Sequence, residues 1–195
     1  MCDSLSVDFS PDCQTALKKL GGFANFGYIF TVDDISAVAV TAGEITGFTF
    51  RTAKQAIKFT TKDRTITAPS PADAEGESNI ALVNHTVNFP IYFSTQAELT
   101  EAYNVLNADK VAVVLPTPNK QFRVYGISTN SALDFSGFGM MNSGSTDNSG
   151  QNLNDPSRLD MALSGLIPNL PAFMDVGTGY ADTLTELESY LTPAS

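Results

Sequence analysis

The chain has one histidine, His85, so any nucleophile–histidine–acid relay must run through it, and a site built from several histidines is excluded. His85 sits in an alternating run with Val83, Val87 and Phe89, which favours a satisfied core or interface histidine over a catalytic one. Asp33-Asp34 and Glu75/Glu77 have the residue types of paired acid–base carboxylates. Both pairs fall in turn-prone stretches, where neighbouring acids usually face solvent, so two-carboxylate hydrolysis ranks last among the functions considered. Cys2 and Cys13 cannot by themselves build a structural zinc site. They are able to close one disulfide, but a cytoplasmic setting favours two free thiols. Asp147-Asn148-Ser149-Gly150 loosely matches a calcium loop, lacks that loop's closing glutamate and a second acid in register, and reads as an ordinary Gly/Asn loop. No phosphate-binding, dinucleotide, nucleophile-elbow or zinc-protease motif occurs. The expectation is a protein that is not an enzyme, with no catalytic residue, no metal ligand and no cofactor.

Composition narrows the class further. Of 195 residues, 43 % are hydrophobic and 16 % charged, where a soluble domain usually has about 25 %. Twenty-one acids against 11 bases give a net charge of −10. That disfavours a nucleic-acid binder working by phosphate neutralisation. No apolar run approaches the ~18 residues of a membrane span. Met1 is followed by polar residues without a basic and then apolar leader, so a protein made and used in a cytoplasm, or in something assembled there, is expected. The bases are unevenly spread. Arg51, Lys54, Lys58, Lys62 and Arg64 cluster with only Asp63 opposing, whereas from Val124 onward Arg158 stands alone among acids. The cluster is a candidate basic face for subunit contacts; the plainer alternative is a decorated strand face paired with nearby acids.

These residues need elements to hold them. Residues 1–26, broken by Pro11, Gly21 and Gly22, read as an N-terminal arm. Residues 27–165 read as a β domain, with short strands over 28–32, 35–40, 45–51, 56–61 and 64–68. Residues 68–79, rich in Pro, Ala, Asp, Glu and Ser, read as a long exposed loop. A long alternating strand over 80–93 follows, so the loop caps an extended hairpin. Thr95 and Glu98 form a capping box, and Leu99, Ala102, Tyr103 and Leu106 fall on one face of a helix over about 95–108. The apolar run Val111–Leu115 predicts a buried strand, returned through Pro116–Lys120 by a strand over 121–127. Residues 142–157 read as a second loop, with a short strand near 159–164. Residues 166–195 read as an acidic C-terminal extension with Leu184, Leu187 and Leu191 at helical spacing. Arms and loops without their own core become ordered on a neighbour, so the profile is that of a subunit that assembles.

The order of elements resembles the tail-tube proteins of tailed bacteriophages. The resemblance rests on Cys2 and Cys13 ahead of the first strand, Val32-Asp33-Asp34-Ile35, Gly43-Glu44-Ile45-Thr46-Gly47 and the hairpin around 56–93. It continues through the helix 95–108, Lys110-Val111-Ala112-Val113-Val114, Phe122-Arg123-Val124-Tyr125-Gly126 and a Gly-rich segment near 137–150. The resemblance implies a mainly β fold, a tail-tube-like sandwich or half-barrel with one flanking helix, in a virion assembled in the host cytoplasm. It implies homo-oligomeric rings of six, stacked into a channel that DNA crosses without specific binding, and contacts with other tail or connector proteins. On that footing Pro69, Pro71, Asp73, Glu75 and Glu77 would form an inter-ring stacking loop. Phe23, Phe26, Leu184 and Leu187 would make arm contacts to neighbours. The acidic balance would keep DNA phosphates off the channel wall. A head–tail connector, a tail terminator or a capsid decoration protein shares the same profile. A carbohydrate-binding adhesion module is a more distant alternative, weakened by the absence of tryptophan.

Overall fold

The computed structural model describes residues 22–61, 65–70, 72–73, 82–93, 95–130, 134–148, 158–177 and 179–194. Along the chain the strands are β1 (Phe26–Thr31), β2 (Ile35–Thr41), β3 (Glu44–Phe50), β4 (Ile57–Thr60), β5 (Ala72–Asp73) and β6 (Leu82–Tyr92). Helix α1 (Gln96–Leu106) is followed by β7 (Val111–Pro116), β8 (Phe122–Tyr125), β9 (Met141–Asn142) and β10 (Thr146–Asn148). Then come β11 (Arg158–Ile167), β12 (Ala172–Met174) and helix α2 (Tyr180–Ser189). The chain is mainly β, as its alternating patterns predict.

Seven strands form the first sheet, in the order β2-β3-β12-β8-β7-β1-β4. The second runs β10-β11-β6-β5, with β9 also on β11. Among the described strand pairs only β12–β3 is parallel. The first sheet must curl. In a flat sheet β1 and β2 would lie five spacings apart, roughly 24 Å. Only the 3-10 turn Val32–Asp34 joins them, which spans at most about 15 Å. The curl brings Phe30 of β1 against Phe48 and Phe50 of β3, with ring centroids 5.1 and 5.3 Å apart.

Strand alternation sorts the interior into two cores. Tyr28, Phe30, Val114, Phe122 and Val124 point into the curl, where Leu187 and Tyr190 from α2 and its C-cap fill the space. Ile29, Phe59, Val113, Leu115 and Tyr125 point the other way, onto Val87 and Phe89 of β6 and Leu159, Met161 and Leu163 of β11. Helix α1 closes this second core with Ala102, Val105 and Leu106. Every residue of β7 is buried because both faces are covered, which explains its unbroken apolar run.

Several expectations are corrected. There are two described helices rather than one flanking helix. The boundary expected at 165/166 falls inside β11, which is ten residues long instead of a short piece over 159–164. The segment 166–195 is no extension: β12 is an interior strand and α2 fills a core. The arm ends earlier than expected, because Phe26 opens β1 and Phe23 packs on Tyr125 at 6.1 Å between ring centroids. The exposed loop expected over 68–79 is paired in part. Thr67 lies opposite Asn88, Ala72 opposite Val83 and Asp73 opposite Leu82, all in one register. Cys2, Cys13 and most of the expected arm lie outside the described residues.

Candidate functional site: an uncharged sheet face

The second sheet has one dry face and one open face. On β6, Val83, His85, Val87 and Phe89 are buried, while Leu82, Asn84, Thr86 and Asn88 between them are half-buried. On β11, Leu159, Met161 and Leu163 are buried, and Asp160, Ala162 and Ser164 alternate with them. The register sets Ala162 opposite Asn88, Ser164 opposite Thr86 and Leu166 opposite Asn84. The open face is therefore a lane of small uncharged groups. Its charges on β6 and β11 are Arg158 and Asp160, and these bind each other at 3.0 Å. At the other end Leu166 and Met141 are 52 % and 56 % exposed. Among the described residues both sheet edges are open: β5 pairs only with β6, and β10 only with β11. Strand β11 crosses β9 closely; a Cβ at Gly165 would lie 2.2 Å from the Gly139 carbonyl oxygen.

His85 ties this sheet to the first one. The Gly126 N–H donates to His85 Nδ1 (3.1 Å), and Nε2 donates to the Asn169 carbonyl (2.7 Å). That pattern requires the neutral imidazole, and burial pushes its pKa below the ordinary histidine value. Gly126 has φ +83°, and a Cβ there would sit 2.4 Å from the Val111 carbonyl oxygen, so only glycine brings its N–H to the ring. His85 is thus a structural joint.

The expected basic face is dispersed into pairs within the chain. Arg51 Nε donates to the Asp33 carbonyl at 2.9 Å, and Lys54 lies 2.9 Å from Asp34, whose carboxylate also takes the Thr31 hydroxyl. Lys58 lies 2.5 Å from Glu188 on α2, and Tyr28 donates to the same carboxylate at 2.7 Å. Those two bonds, Lys58 first, pull the Glu188 pKa below the usual carboxylate value, while burial pushes the Tyr28 phenol well above its own. Lys62 and Arg64 lie outside the described residues. Asp33 and Asp34 are thus held in ion pairs, and Asp33 points toward Lys110 at 3.6 Å.

Of the expected arm contacts, the one at Leu187 is corrected. Leu187 has no exposed surface and Leu184 packs beside it, both in this chain's own core. Phe26 lies against Tyr28 and under Lys58. Leu187 is taken up by the curl, which is filled from within, whereas Phe23, Phe26 and Leu184 are half-buried. Of the expected stacking loop, Pro69 is exposed and Asp73 lies in β5. Pro71, Glu75 and Glu77 lie outside the described residues. Among the described residues no group of three or more His, Cys, Asp or Glu could hold a metal ion. No described helix is long and apolar enough to cross a membrane.

No family model matches the chain, and no curated protein and no solved structure matches it.

Proposed function

We propose that this chain is a structural subunit of a bacteriophage virion of the tail-tube kind, in which copies join into rings that stack around a channel for DNA. The observation that carries the reading is the second sheet. It has an apolar inner face, an outer lane of Asn84, Thr86, Asn88, Ala162 and Ser164, and edge strands β5 and β10 that pair with no further strand among the described residues. Strands pairing across such edges from copy to copy extend the sheet around a ring. The lane then faces the channel. It offers no unpaired cation to hold phosphate, which suits a polymer that must slide through. The order of elements that resembles tail-tube proteins supports rings of six, and on the same resemblance the loop 68–79 is the segment that reaches the next ring.

Negative-stain electron microscopy with mass measurement across concentrations tests the reading. Hollow tubes or stacked rings with an open centre are the expected result. Single rings that never stack would replace it with a head–tail connector. Particles without a channel would overturn it, and a monomer that retains a glycan on an array would move the function to adhesion.

A further inference from the structure

A cavity of about 280 Å³ lies beside β8, lined by Phe23, Ala68, Thr117, Gln121, Arg123 and Tyr125 among others. Arg123 and Tyr125 are two residues apart on β8, so the strand's alternation sends both side chains to the same face. The register places Arg123 between Leu115 of β7 and Phe173 of β12. Its guanidinium carbon lies 4.6 Å from the centre of the Phe173 ring, a contact that holds the cation in place.

Arg123 is an exception among the described bases. Lys54, Lys58, Lys110 and Arg158 each face a carboxylate, Arg51 bonds a carbonyl, and Lys120 is exposed. Arg123 is half-buried, yet among the described residues its guanidinium has neither an ion pair nor a hydrogen bond. A cation that gives up water needs an acceptor in exchange. Tyr125 has the same deficit. It is 2 % exposed and its hydroxyl makes no hydrogen bond among the described residues, although a buried phenol usually finds one. Burial pushes the phenol pKa up to about 12, with the Arg123 charge opposing the rise, so the hydroxyl keeps its proton at neutral pH. No Asp or Glu lines the cavity.

We propose that this cavity binds a carboxylate, with the Arg123 guanidinium and the Tyr125 hydroxyl as its donors. Both groups lack an acceptor, and the guanidinium fork matches the two oxygens of a carboxylate. One cation balances one negative charge, whereas a phosphate, at about −1.5 to −2, would bring charge that no second cation meets. The volume suits a small acid or the end of an acidic side chain. A free acid and an acidic side chain of a second copy, which carries 21 acids, offer the same chemistry. The site is independent of the proposed assembly, because the outer lane lies on β6 and β11.

The test follows the Arg123 Nε–H resonance of the full chain by NMR during titration with sodium acetate, against sodium chloride at equal ionic strength. Acetate should shift it saturably and chloride should not. Arg123→Lys, followed at the Tyr125 amide, and Tyr125→Phe should each weaken acetate at least ~10-fold. The Val113 amide should stay protected from exchange in both; if one variant loses that protection, the other carries the comparison. A resonance that also moves on dilution without acetate, and that acetate competes for, makes a second copy the source. One that ignores dilution makes it a free acid. Equal shifts with chloride, no saturation, or unchanged affinity in the folded variants overturns the proposal. So does inorganic phosphate binding more tightly than acetate at pH 7.

Discussion

His85 receives a hydrogen bond at one ring nitrogen and gives one at the other. A second ring proton would oppose Nδ1–H to Gly126 N–H, so the folded state holds the imidazole neutral. The unfolded chain takes up that proton near pH 6.5. Below that value the unfolded state binds more protons, so stability rises with pH and falls as pH drops from about 7 toward 5. Carboxylates that are paired in the fold, such as Glu188, lose their contribution at lower pH, as their own lowered pKa values require. Urea unfolding midpoints of the unmodified chain and His85→Gln separate the two effects. The variant starts less stable at pH 7.5, and the gap narrows as pH falls. A gap of constant size would show that folding leaves the ring's pKa unchanged, and a gap that widens as pH falls would show a ring protonated in the fold. His85 was legible as a core residue from its apolar neighbours. Its partners, 41 and 84 residues away, were not, because nothing in the local sequence encodes a contact made by curling one sheet over another.

Helix α1 and strand β7 were legible because their signals are local. The capping box is complete, with Thr95 Oγ1 accepting from the Glu98 N–H and Glu98 accepting from the Thr95 N–H. Helix α2 carries an equally regular leucine spacing, yet its Leu187 fills this chain's own core rather than meeting a neighbour. An amphipathic stripe says that a surface must be covered and does not say which one. Strand β12 has only three residues, directly after Pro171, and takes its identity from β3 and β8 on either side. The outer lane was half legible. The alternation of β6 was plain, but β11 was cut short and its pairing with β6 is non-local. Leu187→Ala tests how far α2 belongs to the core. Loss of a fully buried leucine inside the curl should cost about 2–5 kcal/mol in urea unfolding. A cost below ~1 kcal/mol would mean that α2 detaches from the sheet before global unfolding.

At the scale of the molecule, net charge −10 and an uncharged lane are separate facts. Asn84, Thr86, Asn88, Ala162 and Ser164 carry no charge, and the Arg158 at the end of this face is paired with Asp160. On the proposed assembly, Thr86→Lys adds one cation per copy to the channel wall without entering the core. Monomer stability should change by less than ~0.5 kcal/mol. Tubes formed by the variant should retain DNA at low salt and release it as salt rises, whereas unmodified tubes retain none. Retention that ignores salt, or none at all, would take the lane out of the channel.

The interior place of β12 has a bearing on synthesis. Strands β3 and β8 emerge from the ribosome long before the residues that lie between them, so until then the nascent sheet holds two unpaired edges facing one vacant slot. Folding by growth from the N-terminus, the usual order during translation, stalls at this gap. A polypeptide released early would keep those two edges unpaired and the apolar curl uncovered. Only once β12 and α2 have been made can the two edges pair and the curl be filled, so closure of the first sheet depends on its latest elements in the described chain.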